Sequence, residues 1–195
     1  MSEVTNCSPL LGSLTWCEGK PVLPGIRRRI YFTSKSNVVT WPKLKVDANG
    51  RPTSAVLEGS FELAADKYFH HIDVLVDKSG LTSEAQGEAP SQTQLNKITA
   101  YHPSVDEQAT MASAYFNNND IVSLVQDMDG KWRVIGNEKW QSKASVAQDN
   151  GQGPTGAAGT TVNIEHTDLI ASPFYVGSIP TEDGIINEPQ EPAGE

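Results

Sequence analysis

Cysteine is almost missing from this chain: Cys7 and Cys17 are the only two. Two cysteines cannot build a disulfide framework, so the fold has to rest on a packed core, and both are expected as plain thiols in a reducing compartment. Aromatic residues are scarce, at 7% of the chain. No apolar run approaches the ~20 residues a membrane span needs. The opening MSEVTNCSPL has neither a basic nor an apolar stretch, so no secretory leader is expected. Internal repeats at the roughly 20–50-residue period of solenoids are also missing.

Catalytic and cofactor signatures are missing too. No G-x-S-x-G, H-E-x-x-H or helix-opening G-x-G-x-x-G occurs. The Gly-rich run at 150–160 lacks the Gly-Lys-Ser/Thr ending that cradles phosphate and magnesium. Asp127-Met-Asp-Gly130 matches a fragment of a calcium loop, but glycine stands fourth rather than sixth, so a tight turn explains it better. His70 and His71 are neighbours on an expected strand and would point to opposite faces, which prevents chelation of one ion. His102 and His166 stand alone in sequence. Asp73 and Asp77 would lie roughly 13 Å apart along a strand, too far to work together on one bond. These absences lead to the expectation of no enzyme activity, no cofactor and no metal.

What the chain does have is length, turns and an uneven charge. Its 195 residues can bury a core unaided, and 16 Gly with 12 Pro favour a turn-rich β fold. The net charge is −9, a poor surface for holding nucleic acid. The imbalance is segregated: residues 1–46 carry +5 and residues 47–195 carry −14. A basic segment meeting an acidic face of another copy is one reading, and a solvated basic strand is the other.

The expected architecture is mainly β, with one α-helix, a long loop and extended terminal arms. Residues 1–25 read as an N-terminal arm with Trp16 and Leu23 as anchors, 26–177 as the β domain, and 178–195 as an acidic flexible tail. Strands are expected at 26–33 and 38–41, a turn at Asn49-Gly50, and a strand broken by Gly59. KYFHHIDVLVD (67–77) reads as the clearest strand. Residues 78–92 lack apolar periodicity and read as a long loop. Ser104-Val-Asp-Glu107 reads as a capping box, followed by a helical face of Val105, Ala109, Ala112 and Phe116 that ends in an asparagine run. A hairpin is expected about Asp127–Gly130, with further strands near 138–148 and 160–166.

Four stretches carry a resemblance: CEGKPVLPGIRRRIYF, FELAADKYFHHIDVLVDKSGLTSEAQGE, NNNDIVSLVQDMDGKWRVIGNE and GPTGAAGTTVNIEHTDLIASPFYVG. Their order resembles a phage major tail protein, the tail tube subunit, of the kind encoded by phages and prophages of gut Bacteroidetes. The resemblance implies a β-sandwich with one helix and hexameric rings stacked into a hollow tube, with sheets lining the lumen. DNA would pass without specific binding. It further implies contacts to tape-measure, terminator and baseplate proteins, assembly in the host bacterial cytoplasm, residence in the virion tail, and no membrane partner. Subunit-interface residues expected on this reading are Arg27, Arg29, Lys78, Glu84, Gln86 and Glu88, with Arg27 and Arg29 on one strand face and Arg28 on the other. A head–tail connector or tail terminator would also form rings. A carbohydrate-binding surface module, with Trp132 and Trp140 as an aromatic platform, is the alternative of a different class.

Overall fold

A computed structural model describes residues 12–188; Cys7 and the last seven residues of the acidic tail lie outside them. The first strand is β1 (Ile26–Ser34), followed by β2 (Val38–Thr40), β3 (Lys43–Val46), β4 (Pro52–Glu58) and β5 (Glu62–Leu63). Next come β6 (His70–Asp73), β7 (Gly80–Gln86) and β8 (Thr93–His102). The helix α1 (Glu107–Phe116) precedes β9 (Ile121–Asp127), β10 (Trp132–Ile135), β11 (Lys143–Asp149) and β12 (Gly159–Asp168). The described residues finish with β13 (Phe174–Tyr175), β14 (Ile179–Thr181) and β15 (Gly184–Ile186). The described residues are thus mainly β with one α-helix, as the turn-rich composition predicts.

A seven-stranded sheet in the order β3-β4-β13-β10-β9-β1-β6 faces a four-stranded sheet in the order β11-β12-β8-β7. Between them lies one core, in which Ile26, Ile30 and Val125 meet Ile98, Val162 and Ile164, with Phe116 of α1 closing one side. The opposite face of the large sheet is covered as well. Leu57, Phe61, Phe69, Leu124, Trp132, Val134, Tyr175 and Ile179 form a second core there, under the ribbons β2–β5 and β14–β15. Two-sided burial explains why β9 reads IVSLV with no polar alternation: its first five residues are all buried.

Local chemistry sets the boundaries. The hairpin β9–β10 closes at Asp127-Met-Asp-Gly130, where Gly130 takes φ +92° and its N–H donates to the Asp127 carbonyl at 2.9 Å. Asn118, in the run after α1, takes φ +116°. The N-cap is Asp106 rather than Ser104: Asp106 Oδ1 accepts from the Ala109 N–H at 2.8 Å, while the Ser104 hydroxyl donates to the other Asp106 oxygen. These bonds hold the Asp106 carboxyl below the usual carboxylate range. Asp106→Ala is expected to lower the melting temperature by a few degrees, and Asp106→Asn to restore most of the loss, as monitored by circular dichroism.

Several expectations are corrected. The long loop at 78–92 is largely strand: β7 pairs along its whole length with β8, leaving only 87–92 as the connection. The expected strand at 67–77 is regular only over His70–Asp73, because Val74 drops into the core and Val76–Lys78 forms a 3-10 turn. Trp16 and Leu23 do not anchor the first segment; they are 69% and 57% exposed. The expected flexible tail begins with a docked hairpin, in which Ile179 is fully buried and the Phe69 N–H donates to the Pro180 carbonyl at 2.9 Å.

Candidate functional site

Four strands end the two sheets, and three of them are blunted. β3 is short, carries exposed Lys43 and Lys45, and shifts register against β4 between Leu44 and Val46. β6 has only four residues. β11 is covered by α1, and the Val146 N–H is already bonded to Asn117 Oδ1 at 2.9 Å. β7 differs: it has seven residues, no register shift against β8, and exposed Thr82, Ser83, Glu84 and Ala85. Among the described residues it pairs on one side only. Such an edge is a template for another strand.

Hydrogen-bond parity identifies its unpaired groups. The Tyr101 N–H donates to Ser79 Oγ at 2.9 Å, so the odd-numbered residues of β8 aim their amides toward β7. Their partners Gly80, Thr82, Glu84 and Gln86 return those bonds. Leu81, Ser83 and Ala85 therefore aim N–H and C=O outward.

The face of the small sheet away from the core is polar. Thr82, Lys97, Glu165 and Lys143 run across it in register, with Thr99, Asn163 and Ser145 as the adjacent row. Lys97 Nζ lies 3.0 Å from Glu165 and 3.6 Å from Glu84, and Thr99 donates to Asn163 at 3.1 Å. Charges of both signs balance here, with no basic cluster.

Of the expected interface residues, Glu84 and Gln86 share this face. The Gln86 amide donates to Thr167 at 2.8 Å and Thr93 at 3.2 Å. Glu88 is exposed in the β7–β8 connection, where its carbonyl accepts from the Ser91 N–H at 2.8 Å. Lys78 lies 4.3 Å above the Tyr101 ring. Arg27 and Arg29 are on the large sheet instead, and Arg29 is bonded within the chain to Asp73 at 3.0 Å. The alternation expected for them is broken by an irregularity in the strand. Ile26 pairs with Asp127 and Ile30 with Val125, so four steps on β1 oppose two on β9. This bulge interrupts the alternation on which that assignment rests, and all three arginines are exposed beside an open groove.

The histidines keep their separation. His71 lies 6.1 Å from the Tyr31 ring and His70 6.0 Å from the Phe32 ring, on opposite faces of β6. Among the described residues no group of three or more His, Cys, Asp or Glu is placed to hold a metal ion. His166 is 1% exposed, and neither ring nitrogen has a hydrogen-bond partner among the described residues. Burial lowers its pKa to about 4, Asp120 opposing and Lys35 reinforcing the shift. The native state therefore binds fewer protons than the unfolded chain between pH 6.5 and about 4, so His166 costs stability as pH falls through that window. The full loss is about 3 kcal/mol. Buried Asp168 is shifted upward and works in the opposite direction. His166→Leu is expected to flatten the dependence of stability on pH across this window, measured by urea denaturation; an unchanged slope would assign it to other groups.

An apolar recess is lined by Trp41, Leu44, Phe61, Trp140 and Leu169. Its polar neighbours are engaged in holding the loop after β10. Asn137 Oδ1 accepts from the Lys139 and Trp140 amides at 3.0 Å, its Nδ2 donates to the Thr167 carbonyl, and Asp168 accepts from the Leu169 N–H. Trp132 does not join Trp140 in an exposed platform: it is 7% exposed, in the second core. Comparison with known proteins gives no match to a family model, a curated protein or a solved structure.

Proposed function

We propose that the chain is a structural assembly subunit without a catalytic centre, in the manner of a phage tail tube protein whose hexameric rings stack into a conduit for DNA. The observation that carries this reading is β7, a seven-residue edge with outward amides at Leu81, Ser83 and Ala85 and no covering element among the described residues. An extended segment of a second copy would complete its hydrogen bonding and add a strand to the small sheet at the joint between subunits. The sheet's polar, charge-balanced face suits the wall of a conduit, since it offers hydroxyls and amides but no basic cluster to retain phosphates.

Glu84 and Gln86 sit at this joint, with Lys78 at its margin. Arg27 and Arg29 lie apart from it and belong to a different surface. Tape-measure, terminator and baseplate proteins are the partners this reading implies, the virion tail its location, and the host cytoplasm its place of assembly. Electron microscopy of the concentrated protein tests the reading. Stacked tubes with sixfold rings are expected. Isolated rings without tubes would favour a connector or terminator, and monomers at every salt and concentration would overturn assembly altogether.

A further inference from the structure

A strand that completes β7 has to come from an extended stretch with free backbone groups. The other sheet edges offer none, since β3 and β6 are short and β11 is covered by α1. Residues 12–25 do. Every one of them is exposed, and residues 12–16 make no hydrogen bond among the described residues. Leu14, Trp16, Val22 and Leu23 stand open to solvent along this arm, a concentration of apolar surface that marks a contact site. The arm turns back at residues 17–20, where the Lys20 N–H donates to the Cys17 carbonyl at 3.2 Å and Gly19 takes φ +84°. Pro21 and Pro24 lack amide hydrogens, so the limb before the turn, Gly-Ser-Leu-Thr-Trp, is the one able to join a ladder.

We infer that residues 12–16 of a second copy are the strand that β7 receives. The inference deepens the reading of β7 as the assembly joint and rests on it. Alternation carries the assignment. The Ser83 hydroxyl donates to buried Asn96 at 2.6 Å, so Leu81, Ser83 and Ala85 project toward the core, while Thr82, Glu84 and Gln86 project to the polar face. A strand added beside β7 continues both faces. In the arm, Leu14 and Trp16 share one side, and Ser13 and Thr15 share the other. With the apolar side inward, Leu14 and Trp16 cover half-buried Leu81 and exposed Ala85 at the open margin of the core. Ser13 and Thr15 then extend the row of polar groups beyond Thr82. A slip of one residue would turn the Trp16 ring out beside Glu84 and Lys97, so burial sets the register. The single chain leaves its own arm and its own edge both open, which assigns the pairing to two copies. Residues 17–25 span up to about 30 Å when extended, enough to reach a neighbouring subunit.

The test mixes two full-length variants and follows them by sedimentation. Leu14→Pro with Thr15→Pro removes two consecutive arm amides, one of which faces β7 in either register, and leaves the body of the fold untouched. Ala85→Pro removes the receiving edge. Each variant alone is expected to stay monomeric, with a melting temperature close to the parent's. Together they hold one intact arm and one intact edge, so an equal mixture is expected to give a one-to-one heterodimer that grows no further. Adding Trp16→Ser to the copy that donates its arm should weaken this heterodimer about tenfold. An arm variant that assembles like the parent, while Ala85→Pro stays monomeric, would overturn the inference and leave β7 as the joint for another segment. Normal assembly by both variants would overturn the reading of β7 as well. Two monomeric variants that fail to pair when mixed would show that arm and edge are not each other's partners, and would overturn the inference too.

Discussion

Ala85→Pro is expected to leave the subunit folded and to abolish the proposed assembly. Ala85 is exposed on the edge strand β7, and its N–H belongs to the set aimed away from β8. Proline there removes a donor with no partner strand among the described residues, while the ladder to β8 keeps its bonds through Glu84 and Gln86. The preceding residue, Glu84, is already extended, the conformation that a following proline favours. The expected result is a melting temperature within a few degrees of the parent and a sedimentation profile of monomers alone. Glu84→Pro is the counterpart: its amide bonds to β8, so it should lower the melting temperature as well as prevent assembly. If Ala85→Pro assembles normally, β7 is not the joint.

Phe69→Ala is expected to cost about 3–5 kcal/mol. Phe69 is fully buried in the second core, with its ring 5.5 Å from that of Phe61. Its N–H donates to the Pro180 carbonyl, and it bridges Thr181, so the same residue fastens the hairpin β14–β15 to the body of the fold. For a chain of this size the fall in melting temperature is on the order of 10 °C. Limited proteolysis should cut first within residues 182–186 in the variant and leave the parent's hairpin intact. A variant that melts with the parent would mean that the second core closes over the lost volume.

The elements legible in the sequence are those whose pattern is written locally. The β9–β10 hairpin carries its Asp-Gly turn, and β12 alternates Val162 and Ile164 with polar residues. The helix shows its face through Ala109 and Phe116. The hidden elements depend on the partner across the sheet. β7 reads LTSEAQ after its opening glycine, with Ser83 and Ala85 where a strand would show large apolar residues. They suffice because the core is polar there: Ser83 bonds Asn96 at 2.6 Å and Ser172 at 2.9 Å, and buried Asn96 also binds the Ser172 amide. A strand that packs against a buried asparagine has no hydrophobic alternation to read.

The arginine bulge is equally invisible in the sequence. Period two assigns Arg27 and Arg29 to one face, yet the extra residues opposite β9 are a property of the pairing rather than of the triplet. The final hairpin is masked by its composition: acids and glycine surround Ile179, Ile185 and Ile186, and only the first of these is deeply buried. Among the expected interface residues, Glu84 and Gln86 do lie in the exposed segment, but on a strand rather than in a loop. Sequence reasoning misses Leu81, Ser83 and Ala85, whose backbone groups rather than side chains make the edge.

Amide hydrogen exchange on β7 tests the central claim most directly. In dilute monomer the outward amides of Leu81, Ser83 and Ala85 should exchange rapidly, while those of Thr82 and Glu84, bonded to β8, exchange slowly. On assembly the account predicts that the outward set becomes protected to the level of its neighbours. Assembled particles in which Leu81, Ser83 and Ala85 still exchange as fast as in the monomer would contradict it.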